Sequence, residues 1–304
     1  DHQLSAPLML TGMTGGPDRA GEINRDLARL CETNGLAFGL GSQRIIHSDP
    51  STLHSFQVRK VAPSVCLLGN IGINQARDLG IKVVRDLFQK IEADYMAIHL
   101  NPAMELIQPG AEADSDFRLG FETIGRLVDA LDGRVIVKEC GCGLSGHLVR
   151  RLSSLGVRAV DVSGVGGTSW IRVEALRAEG EQADLGFEFD DWGIPTAAAT
   201  WSAAQVESML VVSSGGITSG SVAAKAIALG ADVVGMARPV LQSYLDGGLE
   251  GAQRKIDVVL RGIQTSLALT GTTKPAKLRE RGKWLGPTLR SWIEVMREES
   301  EEDE

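Results

Sequence analysis

The chain has 304 residues, 43% of them hydrophobic and 23% charged, proportions that exclude a disordered, collagenous or coiled-coil chain and fit one large α/β domain. Of its 39 acids, six fall in the run Glu298 to Glu304, which leaves 33 against 31 bases and confines most of the net charge of −8 to the end of the chain. No basic stripe with interleaved aromatics offers itself to nucleic acid, no apolar run reaches the ~18–20 residues of a membrane span, and no basic-then-apolar leader opens the sequence, so a soluble, cytoplasmic protein is expected.

Glycine is the abnormal number: 36 residues, about 12% against a usual ~7%, placed at the ends of short apolar runs. Taken in chain order, those runs are Pro7–Met13, Ala37–Gly41, Val65–Gly72, Ala93–Leu100, Val135–Cys140, Ala159–Gly164, Leu210–Gly216 and Asp232–Ala237. Each reads as a buried strand. Between them lie helical patterns with apolar residues three or four apart, such as Ile23, Leu27, Leu30 and then Ala76, Leu79, Val83, Leu87, and a last one over Gln253–Leu269. The repeat is about 25–35 residues, except for a longer interval between the sixth and seventh strands. Eight βα units predict a single (β/α)8 TIM barrel over residues 1–297, with 298–304 as a solvated acidic tail. A doubly wound sheet would need G-x-G-x-x-G after its first strand; the turn here is Thr11-Gly12-Met13-Thr14-Gly15-Gly16.

The cysteines (Cys31, Cys66, Cys140, Cys142) have no zinc-finger spacing, and Cys140 and Cys142 stand too close in sequence to form a bridge, so reduced thiols are expected.

A barrel carries its site at the C-terminal ends of its strands. Those ends are polar throughout: Thr11 and Thr14, Ser42-Gln43-Arg44, Asn70, His99 and Asn101, Lys138, Ser163, Ser214-Gly215-Gly216, Ala237-Arg238. Packing alone does not call for that. The glycine-rich turn Ser214–Gly220 runs into a helix start, and Ala237-Arg238 repeats the arrangement one unit later, a pattern that presents backbone N–H groups to a phosphate. Lys138, ending the fifth strand, has three chemistries open to it: a Schiff base, a phosphate partner or a cation over an electron-poor ring. His99 and Asn101 alternate, which in a strand aims both the same way. With Glu105 a turn later, near Gln108, Glu112 and Asp114, they suit a phosphate or a hard metal such as Mg2+.

Six segments occur in an order and spacing that resemble the type 2 isopentenyl-diphosphate isomerases: Met13-Thr14-Gly15-Gly16, Gly41-Ser42-Gln43-Arg44, His99-Leu100-Asn101-Pro102, Gly166-Gly167-Thr168-Ser169-Trp170, Asp191-Trp192-Gly193-Ile194-Pro195-Thr196 and Ser214-Gly215-Gly216-Ile217. The resemblance spans about Ser5 to Gly271. It implies an FMN-dependent (β/α)8 barrel that interconverts isopentenyl and dimethylallyl diphosphate, with Mg2+, with NAD(P)H reducing the flavin, and as a homotetramer or homo-octamer. Carried over by position, the resemblance implies that Met13, Thr14 and Gly15 edge the flavin ring. Ser42, Asn70, Lys138, Ser163 and Thr168 hydrogen-bond it, and Gly216, Ile217, Thr218, Ala237 and Arg238 hold its phosphate. Ser42, Gln43, Arg44 and Met104 fall on the substrate side, His99 and Asn101 act on the prenyl diphosphate, and Glu105 binds Mg2+. Reduced flavin is the implied acid–base at the alkene carbon.

The departures fall on the substrate side. Where the family reads His-Leu-Asn-Pro-Leu-Gln-Glu, its Gln is replaced by Met104, which carries no exchangeable proton; Gln108, a helical turn on, is the available substitute. The family's Arg-Lys-x-x-His segment, some fifty residues before the first strand, is not in a sequence that opens at Asp1. An aromatic of the turn after strand five is replaced by Cys142, and Thr270-Gly271 lacks the family's following Cys and Asn. Two other readings therefore stand beside the isomerase: a divergent member acting on another prenyl substrate, and a flavin-binding protein without turnover. A hydroxy-acid oxidase is disfavoured because no histidine is followed by glycine, and an inosinate-dehydrogenase-like enzyme because the sixth-strand loop, Gly164–Thr168, has no cysteine.

Overall fold

Strand alternation sorts the apolar residues into two shells. The computed structural model describes residues 2–108 and 115–302. In it β1 (Leu8–Leu10), β2 (Ala37–Gly39), β3 (Cys66–Gly72), β4 (Tyr95–His99), β5 (Val135–Lys138), β6 (Ala159–Asp161), β7 (Leu210–Ser213) and β8 (Val233–Met236) close into a parallel barrel in chain order. Each lies inside the run expected for it. Leu8, Leu10, Phe38, Leu67, Ile98, Val137 and Val160 face out and join the helices in the main core. Met9, Ala37, Leu68, Ile136 and Val212 form a second cluster inside the barrel. Each such side chain contributes about 1.5–3 kcal/mol by leaving water, so a one-residue slip of register is strongly opposed.

The helices form the outer ring. α1 (Asp18–Asn34) buries Ile23, Leu27 and Leu30, the stripe read from the sequence. After α2 (Arg44–Ser48) come α3 (Ile73–Leu79) and α4 (Ile81–Lys90), two helices where the sequence pattern reads as one. Gly80 separates them with φ of 81°, a left-handed value that no helix interior accepts. α5 (Pro102–Ile107), α6 (Gly120–Ala130) and α7 (Gly146–Ser154) follow, and the long interval after β6 holds α8 (Trp170–Ala175), α9 (Glu181–Glu188) and α10 (Thr196–Ala203). α11 (Gly220–Leu229) and α12 (Arg238–Leu269), kinked at Gly247 and Gly248, close the barrel. α13 (Pro287–Glu302) buries Ile293 and Met296 and packs on α7 and α10. One helix backbone thus runs across residue 297, where a solvated tail was expected to begin. Among the described residues no helix is long and apolar enough to cross a membrane.

The barrel interior changes character along its axis. On β3 to β6 the alternation that places Leu68, Ala97 and Ile136 inward places Asn70, His99, Lys138 and Asp161 inward one step higher. The N-terminal end is packed and the C-terminal end is polar.

Candidate active site

At the top of β3 and β4 one hydrogen bond fixes another. Asn70 Nδ2 donates to the Leu40 carbonyl at 3.0 Å, which turns its Oδ1 towards His99 Nδ1 at 2.9 Å. The ring therefore carries its proton on Nδ1 and leaves Nε2 as a bare acceptor. Burial, then the charges of Lys138 and Arg44, hold the His99 pKa well below its usual value, so the ring is neutral. Gln43 is a brace: fully buried, its Nε2 donates to the Gly41 carbonyl at 2.6 Å while its Oε1 accepts from the Asn70 N–H at 2.6 Å. The resemblance placed it facing substrate; its amide is occupied instead in joining the ends of β2 and β3.

Across the barrel lies a cluster of charge. Lys138 and Asp161 are register partners on β5 and β6, and Lys138 Nζ donates to Cys140 Sγ at 3.1 Å. Asp161 Oδ1 accepts from Ser214 Oγ at 2.6 Å and from the Ser163 N–H at 3.2 Å. Burial pushes the Asp161 carboxyl up to about 6, against the pull of Ser214 and Lys138. Burial also works against the charge on Lys138, but Cys140, Asp161 and Glu139 outweigh it and raise its pKa. Glu139, itself buried, ties the turn after β5 by accepting from the N–H groups of Cys140 at 2.6 Å and Cys142 at 2.8 Å. All four cysteines are free.

Above this cluster opens a cavity of about 1200 Å3, mouth included, walled by the turns after β1, β5, β6, β7 and β8. Gly215 and Gly216 adopt φ of 94° and 80°, and a Cβ on either would strike the carbonyls of Gly164 and Gly166 in the facing loop. Thr196 Oγ1 donates to the Gly215 carbonyl at 2.7 Å and holds the two turns together. The N–H groups of Gly216, Ile217 and Ala237 meet no acceptor among the described residues. α11 and α12 begin just beyond them, so open donors and two helix N-termini share one end of the cavity, an arrangement that favours an anion.

Of the residues singled out from sequence, Met13, Thr14, Lys138, Ser163, Thr168, Gly216, Ile217, Thr218, Ala237 and Arg238 line this cavity. Asn70 lines the small pocket beneath it, with Lys138 and Asp161. Gly15 packs instead against the Phe56 ring, and Arg44 is exposed at the start of α2. Ser42 lies three residues beyond β2, with its hydroxyl oxygen buried and unpartnered. The alternation argument fails at Asn101: β4 stops at His99, and Asn101 takes a left-handed φ of 52° as the residue that opens α5. Its Nδ2 donates to Met104 Sδ at 2.8 Å. Glu105 is buried in the first turn of α5, and Gln108 ends that helix with its N–H on the Met104 carbonyl at 2.9 Å. Glu112 and Asp114 lie outside the described residues. Asp161, Glu139, Trp170 and Thr196 were not singled out one by one; the available signal for the acids was a carboxylate inside an apolar strand run, as in Val160-Asp161-Val162.

Residues 84–284 match the family described as FMN-dependent dehydrogenase. A Pyrococcus furiosus protein named isopentenyl-diphosphate delta-isomerase is 39% identical over 297 residues, covering 95% of this chain and 75% of its own length. Proteins of the same name from Ignicoccus hospitalis (40% identical; 95% of this chain, 81% of theirs) and Aeropyrum pernix (41%; 94% and 76%) agree. The chain belongs to the isopentenyl-diphosphate delta-isomerase family. These three relatives extend beyond the part this chain matches. Solved structures of a mandelate oxidase (TM-score 0.65, 15% identity, 93% of this chain and 81% of that one) and an (S)-mandelate dehydrogenase (TM-score 0.64, 18% identity, 91% and 81%) share the fold.

Proposed function

We propose that this chain is an FMN-dependent isopentenyl-diphosphate delta-isomerase that interconverts isopentenyl and dimethylallyl diphosphate in isoprenoid biosynthesis. The observation that carries the reading is the glycine cradle at one end of a cavity whose other walls hold Lys138, Ser163 and Thr168. The residues fit FMN: open N–H groups at Gly216, Ile217 and Ala237 for its phosphate, an unpartnered buried hydroxyl at Ser42, and a charged pair, Lys138 and Asp161, at the cavity floor. When bound and reduced at the expense of NAD(P)H, FMN supplies the acid–base chemistry at an unactivated alkene that no ordinary side chain provides.

The remaining work belongs to the chain. Gly216 to Thr218, Ala237 and Arg238 anchor the phosphate, and Lys138 faces the ring with a positive charge that its neighbours sustain. Met13 and Thr14 form the turn along its edge, and Gly15 seats that turn on the Phe56 ring. His99, neutral and with Nε2 bare, accepts a proton or a hydrogen bond at that atom. Arg44 offers an exposed cation to the diphosphate, and Asn101 frames the turn that carries Met104. Glu105 is the carboxylate assigned to Mg2+; among the described residues no group of three ligands surrounds it, which suits an ion that completes its shell with waters and diphosphate oxygens. Exposed Leu106, Leu176, Phe187 and Trp192 on and beside α5, α8 and α9 supply apolar surface for a homotetramer or homo-octamer.

Met104 favours a second reading, a divergent member acting on another prenyl substrate. One assay separates the two. The protein is reduced with dithionite under anaerobic conditions and mixed with Mg2+ and isopentenyl diphosphate in D2O, and NMR follows deuterium uptake. Dimethylallyl diphosphate forming at an ordinary turnover rate supports the isomerase; bound FMN with no exchange eliminates it and leaves another substrate or no turnover.

A further inference from the structure

The floor of the barrel, at the opposite end from the cavity, brings together three side chains of metal-binding type. Cys66 opens β3, Asp94 immediately precedes β4, and His2 lies on the segment that leads into β1. One ligand atom from each lies within 4.8 Å of the others. His2 Nε2 stands 3.1 Å from Asp94 Oδ1, close to the ~3.3 Å separation of nitrogen and oxygen ligands on a tetrahedral zinc ion with bonds near 2.0–2.1 Å. No zinc spacing marks them in the sequence because the three residues come from three elements.

The surroundings take one oxygen of Asp94 and leave the other to His2. Asp94 Oδ2 accepts from Arg59 Nη2 at 2.8 Å and from the Leu67 N–H at 2.8 Å, which fixes the carboxylate and turns Oδ1 to His2. The His2 ring packs edge-on against Tyr95, centroids 6.4 Å apart. Such outer contacts are what orient metal ligands. Cys66 is half buried in the lowest layer of the barrel interior, packed against the inner cluster. Burial, then the Asp94 charge, pushes its thiol up to about 12, so the metal-free group is protonated; a bound cation displaces that proton to solvent as the sulfur–metal bond forms. Arg59 beside the carboxylate opposes a second positive charge, which sets the affinity below that of a site with neutral surroundings.

We propose that His2 Nε2, Cys66 Sγ and Asp94 Oδ1 form a binding site for a divalent cation of borderline softness, Zn2+ foremost, with water in the fourth position. The mixed nitrogen, sulfur and oxygen set disfavours Mg2+ and Ca2+, which take oxygen ligands. The site ties the segment before β1 to the starts of β3 and β4 across the barrel floor. It is independent of the flavin cavity and of the isomerase reading.

The test uses the full chain without an affinity tag, stripped with a chelator and titrated with Co2+ alone, difference spectra removing the flavin contribution. One equivalent binds, with a near-ultraviolet thiolate-to-cobalt charge-transfer band and the visible bands of four-coordinate cobalt, and Zn2+ displaces it. Zn2+ at a hundredfold excess over its Kd raises Tm by about 3–6 °C. Cys66→Ser removes the charge-transfer band, and His2→Ala, outside the named strands and helices, weakens binding at least ~10-fold. The proposal is overturned if no stoichiometric Co2+ binds, or if the band persists in Cys66→Ser.

Discussion

Asp161 sits where burial and function pull in opposite directions. The residue is 4% exposed, beside Lys138, and its folded pKa of about 6 lies above the unfolded value of 3.8. The native state therefore keeps a proton that the unfolded chain releases. The stability this contributes is complete below pH 3.8 and is lost as pH rises through about 6. Asp161→Asn carries no ionisable group, so its Tm relative to the wild-type chain should climb between pH 4 and 7, by a free energy of up to ~3 kcal/mol. Thermal melts at fixed ionic strength measure this, and a flat difference would mean that Asp161 ionises as easily folded as unfolded. Met104 belongs to the same scale. Its sulfur accepts from Asn101 Nδ2, so Met104→Gln keeps an acceptor there and adds a group that carries protons. Turnover of isopentenyl diphosphate should rise by ~10²–10⁴-fold, the usual contribution of a positioned acid–base group; unchanged turnover would reject the assignment of this position.

At the scale of elements, the turn after β7 is the piece whose geometry is least forgiving. Gly216 needs a left-handed backbone and no Cβ, because the Gly166 carbonyl occupies that space. Gly216→Ala should weaken FMN binding at least ~100-fold through displacement of the open N–H groups and the ~1–2 kcal/mol cost of left-handed backbone for an L-residue. Gly282→Ala, where a Cβ meets nothing, should bind as the unaltered chain does. Fluorescence titration of FMN compares the two, and equal affinities would detach this turn from the phosphate. The turn is legible in the sequence, since glycines between a strand and a helix announce it. The split at Gly80 and the early end of β4 at His99 are less legible. Periodicity registers which face is apolar but not where one backbone dihedral changes sign.

For the whole molecule, the charge and the mass are distributed differently. Removing residues 298–304 takes six of the 39 acids and leaves Ile293 and Met296, the buried contacts of α13. That truncation should leave FMN affinity unchanged and move Tm by less than ~2 °C, because a run of like charges contributes little to stability. A larger loss, read by differential scanning calorimetry, would give the acidic end a structural role. Sedimentation velocity on the same pair of proteins measures whether the exposed apolar residues of α5, α8 and α9 are covered by further copies of the chain.

The sequence alone determined the barrel, its eight strands and the glycine turn at a helix start, because each rests on a local pattern: an apolar run, a period, a glycine before a helix. It also marked Lys138 and Ser163 as residues of one mouth, since a closed parallel barrel collects its strand ends, while Thr168 entered through the resemblance. Tertiary structure decided what passes between distant segments. It occupied the Gln43 amide with backbone at β2 and β3, oriented Asn70 so that His99 carries its proton on Nδ1, set Asp161 beside Lys138, and drew His2, Cys66 and Asp94 to one point on the floor. Those relations depend on register and on the hydrogen-bond partners left to each buried group, which no spacing along a single chain records.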